Sequence, residues 1–123
     1  MELLTDDGRP IFMQIAERIE DDIIAGRLTE ESPVPSKNQF ASFYQINPAT
    51  AAKGVTLLVE RGILYKKRGI GMFVATGALD ILIEQRKEKF FEQYVITLLR
   101  EAEKLGITVA QLTEMLARGA NQE

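Results

Sequence analysis

The chain has no cysteine and no histidine among its 123 residues. Without cysteine there is no disulfide, no thiolate nucleophile and no sulfur-ligated metal. Without histidine it lacks the commonest metal ligand and the side chain most used for proton transfer near neutral pH. The clustered acids Glu17, Glu20, Asp21 and Asp22 show no spacing suited to a shared catalytic or divalent-metal site, and a solvated helix face is the plainer reading of them. No apolar run approaches the length needed to cross a bilayer, and no charged segment followed by an apolar stretch opens the chain. These gaps predict a soluble, cytoplasmic, non-catalytic protein that needs no cofactor and no metal.

Positive charge is scarce on average, with a formal net charge of -3, but it is unevenly placed. Residues 1–34 hold three arginines against nine acids, a balance of -6. Residues 35–76 hold Lys37, Lys53, Arg61, Lys66, Lys67 and Arg68 against Glu60 alone, a balance of +5. Residues 77–123 hold six bases and eight acids, a balance of -2. Attraction to phosphates depends on a local patch more than on the total.

The basic segment opens with two helix-start signals. Ser36 follows a proline and is suited to N-cap a short helix; Asn47-Pro48 supplies an asparagine N-cap with proline at the first helical position. Two capped helices so close together predict a helix-turn-helix, with the second helix running from Pro48 to Arg61 and ending at Gly62. Phe40, Ala41 and Phe43 are expected to be the buried side of the first of these helices, with Lys37 and Gln39 facing outward. Ala51, Val55, Leu58 and Val59 are expected to be buried in the second, leaving Ala49, Thr50, Lys53 and Thr56 outward. Ile46 is placed to staple the turn to the core.

Upstream, Ile11, Ile15, Ile19 and Ile23 recur every four residues between Pro10 and Gly26, with Phe12, Ala16 and Ile24 widening the stripe, the signature of an amphipathic helix. Arg27 to Pro35 reads as a connector. Downstream, Ile63 to Lys66 and Met72 to Ala75 read as two strands joined by a glycine-containing link, hence a hairpin, or wing. Its tip cluster of Lys66, Lys67 and Arg68, beside Gly69, suits phosphates or a minor groove; charge that keeps an edge hairpin soluble is the blander explanation.

The texture changes at Thr76-Gly77. Ala78 to Leu105 contains no glycine or proline and carries a broad apolar stripe that includes Leu99. After Gly106, Thr108-x-x-Gln111 has the form of a capping box that starts a short helix with Leu112, Met115 and Leu116 inward. Two helices cannot bury so many large apolar residues alone, and the two-fold symmetry common to DNA sites favours a second copy as the cover. The interface expected from this is Phe90, Phe91, Tyr94, Val95, Leu98, Ala102, Leu105, Leu112, Met115 and Leu116. A small-molecule effector held among Phe90, Phe91, Tyr94 and Leu98 is the weaker reading of the same aromatics. The fold class expected is α+β, mostly α: a winged helix-turn-helix domain over residues 1–76, followed by a two-helix C-terminal dimerisation arm over residues 77–123.

Several short motifs across residues 10–75 together resemble GntR-family transcriptional regulators, and within them the short YtrA-like branch. They are Pro10 with Gln14-Ile15, Gly26-x-Leu28, Val34-Pro35-Ser36, Ile46-Asn47-Pro48-x-Thr50, and Arg68-Gly69-x-Gly71-x-Phe73-Val74. Asn47-Pro48 stands where the wider family has Ser-Arg, and the tail is far shorter than the ligand-binding domains of other branches. The resemblance implies a homodimeric regulator, in bacteria a repressor, on a palindromic operator. The DNA-binding set would then be Ser36, Lys37, Asn38, Asn47, Ala49, Thr50, Lys53, Lys66, Lys67, Arg68 and Gly69. Three positions depart from the family's pattern. Asn38 and Ala52 stand where it commonly has DNA-contacting arginines, and Glu31 stands where a glycine often precedes the Pro-Ser motif. The alternative class is a winged-helix protein-interaction module without nucleic acid; the concentrated positive charge argues against it.

Overall fold

In a computed structural model, Leu4 and residues 8–122 are described; the acids Glu2, Asp6, Asp7 and Glu123 counted above lie outside the described residues. The elements run α1 Ile11–Ile24, α2 Lys37–Tyr44, α3 Pro48–Glu60, β1 Leu64–Lys67, β2 Gly71–Val74, α4 Ala78–Phe90, a π-helical turn Phe91–Val95, α5 Ile96–Lys104 and α6 Val109–Ala120. They form two compact units, a head to Glu84 and an arm from Gln85. The structural boundary therefore falls inside α4 and not at Thr76-Gly77, because Ala78 and Leu82 of α4 are buried in the head's core.

The head is a winged helix-turn-helix whose α3 packs on both α1 and α2. Ile15, Ala16, Ile19 and Ile23 of α1 meet Phe40 and Ala41 of α2 and Ala51, Val55 and Leu58 of α3 in one core, closed by Ile63, Leu64 and Val74 of the hairpin. Ile11 and Ile24 lie at the ends of the α1 stripe and stay exposed. Two polar residues of α1 are buried instead: Gln14, whose amide donates to the Arg9 carbonyl at 3.2 Å, and Glu20, which faces Arg61 at the end of α3 at 3.8 Å. The acidic run is thus only partly a solvated face. Asp22 accepts from Arg27 at 2.7 Å, and among the described residues no acidic cluster could hold a metal ion.

Gly54 sets the α1–α3 spacing. A Cβ there would lie 2.7 Å from the Phe12 carbonyl oxygen and 3.0 Å from Ile15 Cβ. The helix tolerates a residue with poor helix propensity because only a hydrogen fits at that crossing.

Each helix of the helix-turn-helix starts as the sequence suggests. Ser36 Oγ accepts from the Gln39 amide at 3.1 Å, and the Gln39 side chain accepts from the Ser36 amide at 2.7 Å, so this is a full capping box. Asn47 Oδ1 accepts from the Ala49 amide at 2.8 Å ahead of Pro48. Gln45 holds the turn at φ 56°, and Ile46 packs half-buried on the core. Two expectations fail. Phe43 is exposed, its ring edge-on to Tyr44 at 4.8 Å, because an eight-residue helix turns only one narrow side inward. Val59 is also exposed, since Ala51, Val55 and Leu58 already fill the inward stripe of α3.

The hairpin pairs Leu64 with Val74, Tyr65 with Phe73, Lys66 with Met72 and Lys67 with Gly71. The supposed connector adds a short third rung to this wing. Pro33 bridges Phe73, the Val34 amide donates to the Met72 carbonyl at 2.9 Å, and the Val74 amide donates to the Ser32 carbonyl at 3.0 Å. Proline is acceptable there because the rung lies on the sheet edge.

In the arm, α6 begins at the capping box foreseen at Thr108, with the Gln111 amide donating to Thr108 Oγ1 at 3.1 Å. Ala102 and Leu112 are buried within the single chain, so they have little surface left for a partner. Met115 and Leu116, expected inward, are exposed, as are Phe90, Phe91, Tyr94, Leu98, Leu99, Leu105 and Val109. Among the described residues no helix is long and apolar enough to cross a membrane.

Candidate nucleic-acid interface

One groove of about 560 Å³ gathers the start of α2, the outer stripe of α3 and the wing. Ser36, Lys37 and Gln39 line it from α2; Ala52, Val55, Thr56 and Val59 from α3; Lys66, Ile70, Gly71, Met72 and Phe73 from the hairpin. The spacing of the α3 residues, three or four apart, marks one side of that helix. Two lysines, Lys37 and Lys66, stand among a largely apolar lining that includes no acid.

The sequence-predicted residues divide into three groups. Ser36, Lys37 and Lys66 meet at the groove itself. Asn38, Asn47 and Ala49 are exposed at the starts of α2 and α3, with Thr50 half-buried beside them; Arg68 and Gly69 are exposed at the wing tip. Gly69 takes φ 78°, which lets the three-residue turn close with the Ile70 amide donating to the Lys67 carbonyl at 2.9 Å. Two cations are diverted into the head. Lys53 Nζ sits 4.1 Å over the Phe12 ring, and Lys67 Nζ sits 4.1 Å over the Phe73 ring. Each such contact contributes about 0.5–1 kcal/mol and ties down the ammonium. Lys67 therefore stiffens the wing more than it extends it.

Sequence reasoning missed four things here. Val55, which is also part of the core, and exposed Val59 both line the groove. Ile70 is 74% exposed at the wing tip between two glycines, a signal that was present in Gly69-Ile70-Gly71. The Ser36-x-x-Gln39 pattern has the same form as the recognised box at Thr108. Finally, Glu31 clamps the wing, and Glu30 beside it holds the start of α4. Glu30 accepts from the Gly77 amide at 2.8 Å. Glu31 accepts from the Tyr65 hydroxyl and, at 2.7 Å, from Thr76. The Tyr65 hydrogen bond, helped by Thr76 and by the charge of Lys67, holds the Glu31 carboxyl below its ordinary value, and the same bond raises the Tyr65 phenol. Glu31 does this from a left-handed backbone, φ 65°, which explains why glycine suits that position.

The fold and its basic groove define a winged helix-turn-helix protein. Residues 12–74 match the profile described as bacterial regulatory proteins, gntR family. The chain belongs to that family. It is 35% identical over 71 residues to the HTH-type transcriptional repressor NagR of Bacillus subtilis, covering 58% of this chain and 29% of NagR. The chain thus spans under a third of that relative's length. A crystal structure of a putative GntR-family transcriptional regulator from Bacteroides thetaiotaomicron superposes with a TM-score of 0.77 at 35% identity, covering 91% of this chain and 97% of that one. AraR(DBD) in complex with operator ORX1 superposes at 0.54 with 28% identity, covering 61% of this chain and 90% of that one.

Proposed function

We propose that the chain is a sequence-specific DNA-binding transcriptional repressor of the YtrA-like branch, acting in the cytoplasm as a homodimer on a palindromic operator. The observation that carries this reading is the groove: the α2 start, the α3 outer stripe and the basic wing converge on one side of the head. NagR, named a repressor, and AraR(DBD), solved on an operator, share the head and support the transfer.

In this reading α3 enters the major groove from its Asn47-capped start, with Ala49 and Thr50 foremost. The α2 start, with Ser36 and Lys37, holds a phosphate on the first-turn amides that the Ser36–Gln39 box does not use. Lys66 and Arg68 follow the adjacent backbone. The YtrA-like assignment rests on Asn47-Pro48 and on the helical arm. The arm's exposed Phe90, Phe91, Tyr94, Leu98, Leu105, Met115 and Leu116, with Val95 half-buried beside them, are assigned to the dimer in preference to an effector pocket. Nothing in the head favours the docking-module alternative, which has no use for cations at a groove.

The test is a binding titration on a mixed-sequence duplex at several salt concentrations. Replacing Lys66 and Arg68 by alanine while keeping Lys67 is expected to lower affinity and to flatten the slope of log K against log salt by roughly 2. An unchanged affinity and slope would remove the wing from DNA contact.

A further inference from the structure

Resting on the DNA-binding reading above, we propose that the head reads A·T pairs, chiefly through methyl contacts to thymine, and does not read guanine. Guanine is most often recognised in the major groove by a long cation, arginine above all, reaching O6 and N7 together. No arginine occurs between Val34 and Glu60, the whole helix-turn-helix. Of its two lysines, Lys53 has a contact within the head, and Lys37 is the one the reading above assigns to a phosphate. Lys37 lines the groove at the α2 start, and Lys53 is drawn onto the Phe12 ring at 4.1 Å.

What α3 presents instead is short and methyl-bearing. Ala49 and Thr56 are exposed and Ala52 is half-buried, and Ala52 and Thr56 line the groove. Alanine and threonine methyls complement the thymine C5 methyl, which projects into the major groove and which no other base of DNA carries. At the start of α2, Asn38 is exposed, and an asparagine amide pairs with adenine N6 and N7. The wing tip points the same way. Arg68 and the 74% exposed Ile70 flank Gly69, and the narrow minor groove of A-tracts attracts arginine while tolerating an inserted apolar side chain. Short side chains also require α3 to lie deep in the groove. Gly54 fixes where α3 lies on α1, and so how far its outer stripe can project.

The experiment is selection of bound duplexes from a random pool by the full chain, followed by titration of the enriched site with 2′-deoxyuridine in place of thymidine. That replacement deletes only the C5 methyl. The expected result is a half-site dominated by A·T pairs, with affinity falling about fourfold for each contacted methyl removed. The variant Ala52→Arg should move the selected sequence toward guanine at one position of each half-site. A half-site of G·C pairs, or uracil duplexes bound as tightly as thymine ones, would overturn the inference while leaving DNA binding intact. A pool with no enriched sequence would overturn the sequence-reading function itself and this inference with it.

Discussion

Gly54 shows how a single hydrogen can set where α3 lies on α1. On helix propensity alone, Gly54→Ala stabilises α3 by about 1 kcal/mol. The added Cβ, however, meets the Phe12 carbonyl oxygen at 2.7 Å, and backbone there cannot yield as a flexible side chain would. Forced displacement of packed helices costs about 1–3 kcal/mol, so the net expectation is destabilisation by roughly 1 kcal/mol, read from urea unfolding. Stabilisation would mean that the crossing is looser than described. The sequence did not disclose this role, since a mid-helix glycine reads only as a local cost until its neighbour is known. Glu31 was more legible, because it stands where a glycine is common, and the left-handed φ of 65° supplies the reason. Its carboxyl is held below the ordinary 4.5, so its contribution is fully present above that value and is lost as pH falls through the lowered one. Tyr65 is raised above 10.0, so its share is present below that pH and is lost as pH rises through the raised value. Tyr65→Phe should therefore reduce the pH dependence of stability at both the acid and the alkaline ends of an unfolding series. A series that superposes on the wild type would show that the bond does not form in solution.

At the scale of elements, start signals were the most legible feature and inward faces the least. Ser36, Asn47 and Thr108 all cap helices, because a side-chain oxygen one residue before a helix has few other things to do. Asn47→Ala is expected to cost about 1 kcal/mol, and Ser36→Ala a similar amount, measured by thermal unfolding. In a double-mutant cycle, Ser36→Ala and Gln39→Ala should be non-additive, since each residue of the box satisfies the other's amide. Additive losses would deny the box. Phe43 and Val59 escaped correct assignment for a shared reason: periodicity marks a stripe but not where its edge falls. The third rung at Ser32 to Val34 was hidden by Pro33, which read as part of a connector and proves to lie on an edge. The π-helical turn at Phe91 to Val95 left no trace in composition, because its residues are the same apolar ones that an α-helical stripe contains.

For the whole molecule, the basic segment over residues 35–76 was visible from charge, and the apolar arm from the change of texture after Gly77. The boundary at Glu84 was not, because the first turns of α4 carry apolar residues that serve the head while reading as part of the arm. Ala102 and Leu112 were likewise indistinguishable from their exposed neighbours until the arm was seen to bury them itself. Tyr94, 63% exposed with its ring 5.5 Å from that of Phe90, is the better probe of a second copy. Tyr94→Asp is expected to convert a sedimenting dimer to a monomer while leaving the head folded; a variant that remains dimeric would place the interface elsewhere.

The central claim is that two heads, joined through their arms, read two half-sites through the α2, α3 and wing groove. Hydroxyl-radical cleavage of the enriched duplex tests it most directly. The wild type should protect two patches related by a two-fold axis, their centres one or more helical turns of about 10 base pairs apart, and Tyr94→Asp should weaken both together. A single patch, or two patches that Tyr94→Asp leaves unchanged, would contradict it.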